Sequence, residues 1–354
     1  MNGIYRPLWL KDNGDLEVLD QRYLPHQELT RVLKTAADAT EAISDMTVRG
    51  AGVIGNMAAF GVYLAVRESP NDMEKILEES AKLRASRPTA VNLMWAVDRM
   101  LNVVQSSSNI LADAKAEAIK ICDEDVKRSQ KIGEIGCDII EEIMLQRGLE
   151  SFDILTHCNA GWLAIIDSGT ALAPIYEAQK RGIDIHVWVD ETRPRNQGAN
   201  LTSWELLKAG IEHTIIADNT GGHLMQHSEV DMVITGADRV TRCGDAANKI
   251  GTYLKALAAY DNNIPFYIAL PLSTFDFESC DGVKEIEIEM RSEDEVHVMR
   301  GVDMNGAAQE IRITPKDAKA INYGFDVTPA RLITGLITEA GLIEADEQAI
   351  SRLA

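Results

Sequence analysis

The stretches Phe152-Asp-Ile-Leu-Thr156, Ile185-His-Val-Trp-Val189, Thr214-Ile-Ile216, Asp231-Met-Val-Ile234 and Phe266-Tyr-Ile-Ala269 decide the fold. Each is a short apolar run followed by a turn, with helical periodicity between runs near 163–181, 203–210, 222–228 and 246–262. Strands alternating with helices at this spacing predict right-handed crossovers and a parallel sheet, hence an α/β fold. In such sheets ligands sit beyond the carboxyl ends of the strands. Upstream, a short extended stretch gives way to helical spacing, first at Leu29, Val32, Leu33, Ala36 and Ala37 through Ile43. The pattern recurs at Val91, Met94, Val97, Met100 and Val104, with Ser86-Arg-Pro-Thr89 as its expected start, proline being tolerated early in a helix. A long acidic-basic segment over 110–147 carries Ile119, Ile132, Ile139, Ile140 and Ile143, with Gly133 and Gly136 expected to interrupt it or to pack closely. The change of rhythm predicts two domains, a mainly helical one over 1–147 and an α/β one over 148–354.

Composition narrows the functions. A chain of 354 residues, 45% hydrophobic and 25% charged, is long enough to bury substantial cores. Its 35 basic and 55 acidic side chains leave a net charge of −20, which repels nucleic acid and anionic membrane surfaces alike. The start MNGIYRPLWLKDNGDLEV lacks a basic region followed by an apolar one, and no apolar run is long enough to span a bilayer. The five cysteines form no CxxC pair, so free thiols and a reduced, cytoplasmic setting are expected. The histidines show no ligand spacing of the HExxH kind, and no metal is predicted.

The chemistry gathers at the strand ends. His157-Cys-Asn-Ala-Gly161 follows the first run, Asp190-Glu-Thr-Arg-Pro-Arg-Asn-Gln-Gly198 the second, and Thr235-Gly-Ala-Asp-Arg239 the fourth. Asp245-Ala-Ala-Asn-Lys-Ile-Gly251 is read as opening a helix. Cys158, if it begins a helix, meets unpaired N–H groups that favour a thiolate; its alternative is an inert packed thiol. Asp238 is either a general acid with a burial-raised pKa or a helix N-cap. Lys249, with Gly236 and Gly251 allowing close backbone approach, suits a phosphate, although GxGxxG and GxxxxGK[ST] are both missing. Arg49, in Thr47-Val-Arg-Gly50-Ala51, and Arg87 add guanidinium groups suited to bidentate phosphate contacts.

Arg49-Gly-Ala, Arg87-Pro-Thr-Ala-Val-Asn-Leu, Thr156-His-Cys-Asn-Ala-Gly, Asp190-Glu-Thr-Arg-Pro, Gln197-Gly, Gly236-Ala-Asp-Arg, Asn248-Lys-Ile-Gly-Thr-Tyr and Phe325-Asp-Val-Thr-Pro occur in this order. With them the chain resembles the S-methyl-5-thioribose-1-phosphate isomerase family, in the superfamily of the regulatory subunits of the translation initiation guanine-nucleotide exchange factor. The resemblance covers about residues 40–340. It implies a helical N-terminal domain, a Rossmann-like parallel-sheet domain, a homodimer, no cofactor and a phosphorylated sugar substrate. It also implies Cys158 and Asp238 as the catalytic pair, with Arg49, Gly50, Ala51, Arg87, Gln197, Asn248 and Lys249 around the substrate. The chain departs from the pattern at Gly52, where proline is expected, at Trp162, where a small residue is expected, and at Asn200, where arginine is common. Trp162 is thereby expected to shape the pocket for the 5-substituent, which leaves 5-deoxyribose 1-phosphate as an alternative substrate. Ribose 1,5-bisphosphate, a non-catalytic regulatory subunit and a nucleotide-dependent dehydrogenase are the other readings. The last lacks its glycine fingerprint.

Overall fold

Three short strands open the chain, Leu8–Leu10 (β1), Leu16–Leu19 (β2) and Thr30–Leu33 (β3), paired as an antiparallel meander. The computed structural model describes residues 6–87 and 90–353, so Pro88 and Thr89 of the expected helix start lie outside the described residues. The meander corrects the helical reading from Leu29. Leu29 and Val32 are exposed while Leu33 is fully buried, and helix begins only at Ala36. Thr35 and Asp38 set that start with a reciprocal capping box, each side chain bonding the other's backbone N–H.

Five helices follow: α1 (Ala36–Ser44), α2 (Ala51–Glu68), α3 (Met73–Ala85), α4 (Val91–Ser106) and α5 (Ile110–Arg147). The apolar α2 is buried on all sides from Gly52 to Val66 and is the axis against which the other four pack. Gly133 and Gly136 do not interrupt α5. They let it approach α6 (Ala173–Arg181) so closely that a Cβ on Gly136 would lie 2.8 Å from Pro174 Cβ. The first half of α5, including Ile121 and Cys122, joins the core around α2. Its second half, including Ile132 and Ile140, joins Phe152 and Ile154 of the sheet core. One helix thus braces both cores.

The main sheet has seven strands. Phe152–His157 (β4), Ile185–Asp190 (β5), His213–Ile216 (β6), Met232–Thr235 (β7), Phe266–Ala269 (β10), Gly335–Thr338 (β15) and Gly341–Ile343 (β16) lie in the order β16-β15-β10-β7-β4-β5-β6. Every pairing is parallel except β15 with β16. Helices α6, α7 (Ser203–Ala209), α8 (Thr220–Gln226) and α9 (Thr252–Asp261) make the connections, so the fold is the expected α/β one.

A second sheet joins Arg239–Thr241 (β8), Ala246–Lys249 (β9), Phe275–Asp276 (β11) and Phe325–Thr328 (β14) in the order β11-β8-β9-β14. Its presence corrects the helix read over 246–262, because Ala246–Lys249 is a fully buried strand and helix starts only after Gly251. Likewise 163–172 forms turns, leaving helix only over Ala173–Arg181. Val298–Val302 (β12) and Ala308–Arg312 (β13) form a separate hairpin. The cysteines need a correction too. Cys243 and Cys280 are joined by a disulfide with Cα atoms 4.9 Å apart, and only Cys122, Cys137 and Cys158 are free. Spacing alone could not reveal a pair brought together by the β8–β9 turn and the loop after β11. Among the described residues, no helix is long and apolar enough to cross a membrane.

Candidate active site

The chain leaves β4 at His157 and enters Cys158 in a left-handed backbone conformation, φ 64°, unfavourable for any residue with a Cβ. Turns, not helix, follow. The expectation of a thiol at a helix start therefore fails, and with it the macrodipole as a source of thiolate character. From β7 the chain runs through Gly236 and Ala237 to Asp238 before β8 begins, so Asp238 caps no helix. Asn248 and Lys249 end β9, and Gln197 immediately precedes the single wide turn 198–202. Arg49 and Gly50 lead into α2, and Arg87 follows α3. Gly50 has φ 92°, and a Cβ there would lie 2.5 Å from that of Ala164.

These segments meet. Arg49, Gly50, Ala51, Arg87, Cys158, Gln197, Asp238, Asn248 and Lys249, the full predicted set, line one cleft of about 620 Å³ including its open mouth. Sequence reasoning missed Asn159, Arg291 and Phe325, which line it as well. Asn159 sat inside the quoted Thr156–Gly161 motif; Arg291 lies in an acidic stretch without any motif. Trp162 does not line the cleft, contrary to expectation. It is buried against Trp204, ring centroids 5.5 Å apart, in a cluster with Leu19, Leu24 and Leu201.

Four cations and one carboxylate face the cleft. The Arg49 guanidinium donates to Oδ1 and, at 2.8 Å, to the backbone oxygen of Asn159. Arg87 and Arg291 share Glu289, donating to its two oxygens at 2.9 and 2.7 Å. Lys249 Nζ sits 5.1 Å from the centre of the Phe325 ring. Of the residues lining the cleft, Arg87 Nε and Gln197 Oε1 are buried without a hydrogen-bond partner in the protein, a donor and an acceptor that a bound anion's oxygens or hydroxyls could satisfy. Burial raises the pKa of the Cys158 thiol against the pull of Arg49 and Lys249. Burial likewise raises Asp238, opposed by Arg87, Lys249 and Arg49, and it lowers Lys249, opposed by Cys158 and Asp238. The arrangement can hold an anion and, beside it, move protons. No three His, Cys, Asp or Glu side chains among the described residues are grouped to hold a metal ion.

Beneath the cleft lies a buried ionic knot. Asp190 Oδ2 meets His157 Nδ1 at 2.5 Å and Lys255 Nζ at 2.9 Å, and His157 Nε2 donates to the Ile250 carbonyl at 2.9 Å. Since Cys158 follows His157 and Lys249 precedes Ile250, this knot ties the thiol-bearing turn to the lysine-bearing one.

A parallel sheet with a cationic pocket at its strand ends, closed by a helical layer, defines the class. Residues 47–345 match the Initiation factor 2 subunit family, and the chain belongs to it. Its relatives in that family include isomerases. The chain is 62% identical to the methylthioribose-1-phosphate isomerase of Sulfurimonas denitrificans over 349 residues, 98% of this chain and 97% of that protein. The crystal structure of 5-methylthioribose 1-phosphate isomerase from Pyrococcus horikoshii superposes with a TM-score of 0.83 at 37% identity, covering 98% and 95% of the two chains. A structure described as translation initiation factor eIF-2B, subunit delta, from A. fulgidus matches with a TM-score of 0.78, also at 37% identity, over 96% of each chain.

Proposed function

We propose that the cleft isomerises 5-methylthioribose 1-phosphate to 5-methylthioribulose 1-phosphate, an aldose–ketose step of methionine salvage. The observation that carries this is the meeting of Cys158 and Asp238 with Arg49, Arg87 and Lys249 in one pocket. The substrate phosphate lies among those cations and the side chains of Gln197 and Asn248, close to the backbone at Gly50 and Ala51. Phosphorylation of the anomeric oxygen blocks simple opening to an aldehyde, so an acid must reach the ring oxygen. Asp238, its pKa raised by burial, is that acid and later handles the C2 hydroxyl proton. Cys158 relays the proton from C2 to C1 through an enol phosphate.

An annex to the cleft supports the methylthio group as the 5-substituent. It shares Ala51, Arg87, Asp238 and Phe325 with the main pocket and continues along Ile54, Ala90, Ala247, Ile286 and Ile288. Its isoleucine and alanine side chains give it an apolar lining that suits a thioether. The division at 147/148, a homodimer and a cytoplasmic setting belong to the same proposal, the dimer being open to sedimentation.

Turnover of 5-methylthioribose, 5-deoxyribose and ribose 1-phosphates and of ribose 1,5-bisphosphate tests the reading, the first being expected to lead. Cys158→Ser and Asp238→Asn should each lower kcat by about 10²–10⁴. Near-native turnover in either variant would overturn the assignment of the pair.

A further inference from the structure

Glu205, on α7, is fully buried, and its carboxylate accepts four hydrogen bonds from neutral donors. Asn159 Nδ2 (2.8 Å) and the Leu163 amide (3.1 Å) donate to Oε1; the Trp162 amide (2.9 Å) and the Tyr176 hydroxyl (2.9 Å) donate to Oε2. The contact is close enough that any Cβ at Gly161 would collide with the carboxylate. The Asn159 amide is thereby fixed in polarity. Its nitrogen is taken by Glu205 and by Thr202 Oγ1 at 3.2 Å, so its oxygen must point the other way, at Arg49. Arg49 arrives from the start of α2, 110 residues earlier in the chain. A negative charge at one end of an amide also polarises it, making the oxygen at the other end a stronger acceptor.

We propose that Glu205 is a positioning residue for the isomerisation: acting through the Asn159 side chain, it aims the Arg49 guanidinium at the substrate phosphate. This rests on the reading of Arg49 as a phosphate contact. Glu205 touches no substrate atom. Its effect travels along Glu205–Asn159–Arg49, and the same carboxylate ties down the turn that carries Cys158.

The test uses the full chain at pH 8, with Glu205→Gln, Arg49→Lys and the two combined. The readouts are KM, kcat and the Kd of inorganic phosphate measured by calorimetry. Losing a charge-reinforced contact to the anion site should raise both KM and the phosphate Kd by about tenfold while kcat changes far less. The double variant should bind phosphate no worse than Arg49→Lys alone, because the two residues act in series. An unchanged phosphate Kd in folded Glu205→Gln overturns the proposal, as does a double variant whose losses multiply. If Glu205→Gln does not fold, Tyr176→Phe removes one donor from the same carboxylate; weaker phosphate binding supports the proposal and an unaltered Kd overturns it. Native enzyme that fails to bind phosphate would refute the Arg49 assignment and the proposal together. Phosphate binding without turnover would refute the isomerase reading alone.

Discussion

The buried knot below the site makes the sharpest stability prediction. Asp190 is fully buried, and its Oδ2 serves both His157 and Lys255, which are themselves 2% and 4% exposed. Asp190→Asn keeps the shape and can keep an oxygen toward both partners, since Oδ1 has no partner in the native protein and can give way to the amide nitrogen. What it removes is the charge opposite a buried ammonium group. Breaking one side of a buried pair in this way costs about 3–5 kcal/mol. With an unfolding entropy of about 2.1 cal/mol/K per residue over 354 residues, that corresponds to a fall in Tm of about 4–7 °C. Calorimetry on native and variant chains would measure it, with Glu310→Gln as the control. Glu310 pairs with Arg300 across side chains that are more than half exposed, and its loss should cost no more than about 0.5 kcal/mol. A Tm change in Asp190→Asn no larger than the control's would refute the view that the knot holds the two turns together.

Three further outcomes follow from the geometry. Gly50→Ala combines a left-handed φ with a Cβ 2.5 Å from that of Ala164, so it should cost about 2–4 kcal/mol and raise KM by displacing Arg49; a melting curve and a KM within twofold of native would contradict this. Burial outweighs four donors at Glu205 and holds it at about 7 against an ordinary 4.5. Because the folded pKa is raised, the stability that the neutral form contributes is complete below about pH 4.5 and lost as pH rises through 7. Native protein should therefore lose about 3 kcal/mol relative to Glu205→Gln over that window, and parallel denaturation profiles at pH 5 and pH 8 would contradict it. Denatured without reductant, the chain should titrate three thiols, and five would mean that the Cys243–Cys280 bond is not formed.

Five of the seven strands of the main sheet were legible as short apolar runs, most plainly β7 and β10, which are buried along their whole length, whereas β15 and β16 went unread. Once the sheet was known to be parallel, the rule of the carboxyl ends placed Cys158, Asp238 and Gln197 on one rim. Ala246–Lys249 escaped notice for the opposite reason. Ala-Ala-Asn-Lys has no β-branched residue, and only its position between β8 and β14 makes it a strand. The meander at Leu29–Leu33 misled because apolar residues at 29, 32 and 33 fit a helical period as well as an edge strand with two exposed hydrophobes. Glu205 and Arg291 were beyond reach. Each lies in an ordinary-looking segment, and each matters through a link to a residue distant in sequence, Glu205 to Asn159 directly and Arg291 to Arg87 by way of the neighbouring Glu289.

The electrostatics of the molecule and of its site have opposite signs, and the structure shows how both can hold. Solution screens the net charge of −20 over roughly 8–10 Å, so the acidic exterior acts on approach and little within the cleft. Inside, the cations are not left to repel one another. Arg87 and Arg291 are bridged by Glu289, and Arg49 is held by an amide backed by Glu205. Glu289 takes one nitrogen of each of its two arginines, and Glu205 acts on Arg49 only through the Asn159 amide. Arg87 shows the consequence, since one of its nitrogens is bound to Glu289 while Nε stays buried and unpartnered. A free arginine side chain would have to be ordered and stripped of water when the anion arrived. In the phosphate site proposed above, both costs are met when the chain folds, which leaves more of the anion's interaction energy for the reaction. The surplus of acid in the sequence is in this sense partly structural to the site: Glu289 and Glu295 pair with Arg87 and Arg291, and Glu205 backs the amide that holds Arg49, so that three arginines share one pocket.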